Sequence, residues 1–149
     1  MGTTLAIIGG AVGFLVFFVA MWTGVTTLLA YIGGWQQLSR IFPDPFPPRK
    51  HPFSGQTACF GIVNYRQSLQ ATLDHDGIHL AMLFLFRVKH PPLLIPWREI
   101  GPVQVDKFIF SRYRVVILRT GTNISFFGKL GEAILHGSQS HPPAIPGWP

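Results

Sequence analysis

No Asp, Glu, Lys or Arg occurs before Arg40. A helix on the surface of a globular domain carries a polar face, so this emptiness excludes an ordinary amphipathic helix for residues 5–32. Cysteine is almost absent: Cys59 stands alone, which excludes an internal disulfide and a cysteine-based zinc site. Acidic residues are few, 6 against 12 Lys and Arg, and they are scattered. No basic run exceeds two residues, and no nucleic-acid-binding motif appears. A G-x-S-x-G elbow, a P-loop, a Rossmann glycine pattern and H-E-x-x-H are also missing. There is no internal repeat.

The charge-free stretch reads as a membrane-spanning helix. About 20 helical residues cross a bilayer core of ~30 Å. Residues 5–32 exceed that, so tilt or partial burial among the headgroups is expected. Trp22, Tyr31 and Trp35 lie toward its C-terminal end, where amphipathic aromatics favour the interface. Gly33 and Gly34 weaken the helix as it leaves the membrane. A cleaved signal peptide is the rival reading. It requires a positive start and a shorter apolar core, and residues 1–5 contain no Lys or Arg. The start Met1-Gly2 resembles a myristoylation signal, but position 6 is Ala.

Every Lys and Arg follows the span, beginning with Arg40, Arg49 and Lys50. The positive-inside rule therefore predicts an outside N-terminus and a cytoplasmic C-terminal domain. Within the helix, Ala6/Gly10 and Gly9/Gly13 form small-xxx-small pairs. Such pairs permit close helix approach and a homodimer, although glycine is common in membrane helices without one. The net charge of +6 draws the domain toward anionic lipid, an account preferred to nucleic-acid binding.

The chain divides into an anchor (1–39), a proline-rich spacer (40–55), a β-rich domain (56–136) and an unstructured tail (137–149). Prolines 43, 45, 47, 48 and 52 favour an extended stand-off between bilayer and domain. Pro45-Phe46-Pro47-Pro48-Arg49-Lys50 also fits a PxxPx(K/R) ligand, a match that arises readily in proline-rich linkers.

Strand patterning follows. Residues 56–64 form one candidate. Residues 69–73 and 78–83 flank Asp74-His75-Asp76-Gly77, a tight-turn signal. Residues 80–88 are apolar apart from Arg87 and too short to span a bilayer, so both faces of that strand need cover. Residues 93–95 end at Pro96, and 103–110 alternate imperfectly. Tyr113, Val115 and Ile117 share one face, as do Ile124 and Phe126 after the turn at Thr120-Gly121-Thr122-Asn123. Phe126, Phe127, Leu130, Ala133 and Ile134 fall at helical spacing and predict one short helix, with Gly128 and Gly131 limiting its length. Cys59, between Ala58 and Phe60, reads as a buried small hydrophobe.

The expected fold is a single N-terminal transmembrane helix followed by a small, mainly antiparallel β domain, a barrel or sandwich, with a short C-terminal helix. This order resembles the pleckstrin-homology-like and GRAM-like small barrels of bacterial membrane proteins. The resemblance is carried by Asp74-His75-Asp76-Gly77-Ile78-His79, by residues 92–100 with the core Ile95-Pro96-Trp97-Arg98-Glu99-Ile100, and by the strand and helix over 123–135. It covers about half of the chain. The turn has a plain physical reading too: Pro96 ends a strand, Trp97 and Ile100 anchor in the core, and Arg98 and Glu99 face water. The closing helix is shorter than the family pattern.

Chemistry is thin. Asp74 and Asp76 are the only close acidic pair and sit in a turn, where Asp serves the backbone. His75, His79 and Asp76 form a candidate metal set, against a plain reading of one turn histidine and one solvent-facing strand histidine. No cofactor is expected. The resemblance implies an anionic-phospholipid site on a basic surface; Arg112 and Arg114, flanking Tyr113, are the candidates for its centre, and Arg66, Arg87, Lys89, Arg119 and Lys129 could join them, depending on the fold. General attraction to the leaflet is the competing account. The reading is a non-catalytic single-pass protein whose cytoplasmic domain docks a membrane or cytoplasmic protein partner. An anionic-phospholipid-sensing module is the alternative, and a metal-dependent enzyme ranks last. Proline and glycine content and the single-pass layout suggest a bacterial inner membrane.

Overall fold

The computed structural model describes residues 1–107 and 109–142. Helix α1 (Gly2–Ile32) is long and apolar enough to cross a membrane. Gly33 and Gly34 then turn the chain into α2 (Trp35–Ile41). Gly34 adopts the left-handed conformation (φ 75°), which glycine tolerates at least cost. Gly33 is buried against the hydroxyl of Tyr65, where a Cβ would stand 3.1 Å from that oxygen.

Seven strands follow: β1 (Phe53–Phe60), β2 (Val63–Leu73), β3 (Gly77–Met82), β4 (Leu93–Pro96), β5 (Gln104–Lys107), β6 (Ser111–Ile117) and β7 (Thr122–Phe127). They form one antiparallel sheet in the order β4-β3-β2-β1-β7-β6-β5, curled into a half-barrel. Helix α3 (Gly128–Ser140) closes the domain against β6, β7 and β2. The expected architecture of an apolar N-terminal helix, an antiparallel β domain and a short C-terminal helix is what the structure contains.

Period-two alternation builds the core. Tyr113, Val115 and Ile117 of β6 and Ile124 and Phe126 of β7 are buried, while Arg112, Arg114, Asn123 and Ser125 lie on the other face. The Asp74–Gly77 turn joins β2 to β3 as the sequence predicts, with Leu73 opposite Ile78. β3 is buried along its whole length, because one face meets the core and the other is covered by the preceding linker.

Four expectations change. Residues 56–64 are not one strand: Gly61 and Ile62 turn the chain between β1 and β2. The apolar stretch 80–88 leaves the sheet after Met82 and forms a 3-10 turn, Phe84–Phe86, that packs on α1. Trp35, expected at the membrane interface, is fully buried in the domain against Phe60, Tyr65 and His90. α3 runs to Ser140, past the expected tail boundary at Gly137, since Gly137 itself packs beside the ring of Trp97. The remaining tail residues 143–149 lie outside the described residues.

The spacer is also bound rather than free. Phe42 is buried, the Phe42 carbonyl accepts from the amide of Leu94, the Asp44 amide donates to Pro92, and Pro43 pairs with Leu93. Residues 42–44 thereby cover the β4 edge of the sheet. Further along, the Thr72 hydroxyl donates to the Lys50 carbonyl at 3.1 Å. Between these points Pro45, Phe46, Pro47 and Arg49 of the PxxP-like stretch are exposed, and Pro48 is partly buried.

Candidate functional site

The basic candidates fall into two groups. Arg66 on β2 and Arg112 and Arg114 on β6 share the outer face of the half-barrel. Arg87 and Lys89 sit elsewhere, in the β3–β4 loop beside α1. The register places Arg112 opposite Phe127 and Arg114 opposite Ser125, and Ser125 opposite Cys59. The outer face is therefore polar and basic because the inner positions of the same strands are taken by core residues.

Arg66 and Arg112 line an open groove of about 880 Å³ together with Gln56, Gln67, Phe110 and Phe127. The Arg112 guanidinium stacks over the Phe127 ring, 5.5 Å from its centroid, and the aromatic face holds that cation in place. Arg114 pairs with Asp106 at 3.3 Å across β5 and β6, so part of its charge is met within the sheet. Both arginines reach a second hollow of about 330 Å³ beside Cys59, Asn123 and Ser125. Cys59 is thus half-exposed on the outer face rather than a core hydrophobe. The arrangement combines cations with exposed aromatic surface. It can bind an anionic group and an adjoining apolar one, with arginine suited to two-point contact with a carboxylate or phosphate.

His79 does not face solvent. Its ring is buried and donates from Nδ1 to Asp44 at 2.6 Å and from Nε2 to Asp74 at 2.8 Å. Burial alone pulls its pKa down, but the two hydrogen bonds and the two carboxylate charges outweigh it and hold the pKa above 6.5. Burial pushes Asp74 up, yet donation from the Asp76 and Gly77 amides and from His79 brings it below 3.8. The carboxylate of Asp44 comes from the linker, so this pair of bonds locks the linker onto the β2–β3 hairpin. Sequence reading missed the lock because Asp44 is 35 positions away from His79.

The candidate metal set of His75, His79 and Asp76, weighed in the sequence against a plain turn reading, does not assemble. Both ring nitrogens of His79 are occupied by carboxylates. Among the described residues, Asp74, His75 and Asp76 bring ligand atoms within 4.8 Å of one another in an exposed turn. Asp74 is already committed there to the backbone amides of Asp76 and Gly77 and to His79. Glu99, expected to face water, is buried and accepts from Arg119 at 2.9 Å. Arg119 also lies over the Phe42 ring, 5.4 Å from its centroid, which ties the β6–β7 turn to the linker. Arg119 is thus engaged away from the Arg66/Arg112 groove.

A further cluster joins α1 to the domain. Burial lowers the pKa of His90. The neutral ring donates from Nδ1 to the Val88 carbonyl at 2.9 Å, and Nε2 accepts from the Tyr65 hydroxyl at 3.0 Å. The same hydroxyl lies 3.1 Å from the Leu29 carbonyl of α1. Ala6, Gly9, Gly10 and Gly13 stand on the part of α1 that touches nothing else, and an added Cβ at any of the three glycines meets no atom within 4 Å.

Protein-family models, curated proteins and solved structures all yield no match to this chain.

Proposed function

We propose that the protein is a non-catalytic, single-pass membrane protein whose domain docks a protein partner through the outer face of its half-barrel. The groove between Arg66 and Arg112 carries this reading: two cations stand beside the half-buried ring of Phe127 and the exposed ring of Phe110. The partner segment that fits is acidic with an apolar side chain beside the acid. The length and apolarity of α1 support anchoring in a bilayer, and Arg40, Arg49 and Lys50 just beyond it support a cytoplasmic domain. We further propose that the domain is similar to the pleckstrin-homology-like small barrels. Seven antiparallel strands, a closing helix and a buried Trp97 in the Ile95–Ile100 turn support that placement.

The second reading makes the same face an anionic-phospholipid site. Arg112 favours it, since no carboxylate within salt-bridge distance of its guanidinium is present among the described residues. Hydrogen exchange on the full-length protein in nanodiscs separates the two. Docking predicts that the amides of β6 and β7 exchange alike in zwitterionic and anionic lipid. A phospholipid site predicts protection of residues 111–114 in anionic lipid alone.

A further inference from the structure

Helix α1 divides into two parts. Side chains of residues 2–21 are exposed on every side. At ~1.5 Å per residue that length matches a ~30 Å hydrocarbon core. From Trp22 onward one face meets the domain, through Trp22, Thr26, Leu29 and Ala30. The boundary between the two parts is marked by the β3–β4 loop. The Trp22 indole donates to the Leu85 carbonyl at 3.0 Å, and its ring packs on Phe86 at 5.4 Å.

The tip of that loop is apolar and unpartnered. Phe84 is 81% exposed and Leu85 66%. Two exposed cations, Arg87 and Lys89, follow directly. The loop is not a loose segment: before the tip the Leu83 amide donates to the Ser68 carbonyl at 2.8 Å, and two side chains of α2 hold the stretch after it. The Gln36 side chain donates to the Lys89 carbonyl, and the Trp35 indole donates to the Pro91 carbonyl at 2.9 Å. The fold thus maintains an ordered aromatic and aliphatic tip in the open, at the level where the bare part of the helix ends.

We propose that Phe84 and Leu85 insert into the bilayer beside α1, with Arg87 and Lys89 at the phosphate layer, so that the domain is held to the membrane surface at a second point. The proposal rests on α1 crossing the bilayer. It assigns the lipid to this loop and leaves the Arg66/Arg112 groove for another ligand. Continuity with the bare helix favours lipid as the occupant, since any bilayer that covers residues 2–21 reaches the loop tip. The order of apolar tip and flanking cations suits the acyl-to-headgroup boundary.

The test uses the full chain in nanodiscs on a Cys59→Ser background. Single nitroxide labels are placed at Leu15→Cys, Phe84→Cys, Leu85→Cys and Asp76→Cys. Collision with oxygen, which concentrates in lipid, is compared with collision with a water-soluble nickel chelate. The expected result is oxygen dominance at 15, 84 and 85 and nickel dominance at 76. If 84 and 85 behave like 76 while 15 remains in lipid, insertion is overturned and the membrane anchor stands. If 15 is also nickel-dominated, the anchor and the insertion fall together.

Discussion

Trp22 on α1 donates its indole N–H to the carbonyl of Leu85, 63 positions later in the chain. One hydrogen bond and one ring contact therefore join the apolar helix to the first loop of the half-barrel that leaves the sheet. Thr26, Ala30 and Gly33 continue the contact along the same helix face, and Trp35 completes it inside the core. The domain is mounted directly on the end of its helix, without an intervening flexible arm.

That mount is testable at Trp22. Trp22→Phe keeps a ring but removes the donor, at a cost of about 0.5–1.5 kcal/mol for the bond. Amides of residues 84–87 are expected to exchange roughly two- to tenfold faster, while β1, β2 and β7 keep their protection. Hydrogen exchange with mass spectrometry reads both.

The His79 lock gives a pH signature with two limbs. A histidine whose folded pKa is raised stabilises the fold below its unfolded value of 6.5, and that contribution is lost as pH rises through the folded value. Asp74 is lowered, so its contribution is present above 3.8 and is lost as pH falls through the folded value. Thermal melts are expected to be highest between these limbs. His79→Gln is expected to abolish the alkaline limb and to weaken the acid limb without removing it, because the Asp76 and Gly77 amides still donate to Asp74.

Removing one side of the lock leaves the other buried. The Asp44 side chain is only 2% exposed, so His79→Ala strands a carboxylate in the interior and is expected to cost about 3–5 kcal/mol. The paired change Asp44→Asn with His79→Ala is expected to recover part of that loss. Denaturant unfolding of the two variants provides the comparison.

Gly131 and Gly137 on α3 lie against rings. An added Cβ at Gly131 would stand 2.1 Å from Tyr113, and one at Gly137 would stand 2.2 Å from Trp97. Helix propensity alone predicts that Gly→Ala stabilises by up to about 1 kcal/mol. The packing predicts the opposite sign, a net loss of about 1–3 kcal/mol at each site. Melting temperatures of Gly131→Ala and Gly137→Ala decide between the two effects.

Local signals in the sequence were legible where one short-range rule governs. The apolar run of α1, the Asp76-Gly77 hairpin, the alternation through Val115 and Ile124 and the stop at Pro96 all follow from nearest-neighbour chemistry. Long-range pairings were not. Trp35 reads as an interfacial aromatic beside an apolar run, and only the turn at Gly34 shows that it enters the core. The proline-rich linker reads as a spacer until Asp44 meets His79 and Phe42 meets Leu94. Gly131 looks like a helix weakener, whereas its missing side chain makes room for Tyr113. Of the basic residues, Arg112 and Arg114 are placed together by simple alternation, Arg66 joins them through sheet order, and Arg87 and Lys89 depart with the loop that leaves β3.

The central claim is that the outer face of the half-barrel docks a protein at the membrane. A photocrosslinking amino acid at Phe127, beside Arg112 in the groove, tests it in the native membrane with the full-length protein. The account predicts a discrete protein adduct that disappears when Arg66 and Arg112 are both changed to Glu, while an otherwise identical probe at the exposed Gln139 of α3 gives none. Adducts confined to lipid, or a protein adduct unchanged by Arg66→Glu with Arg112→Glu, would contradict it.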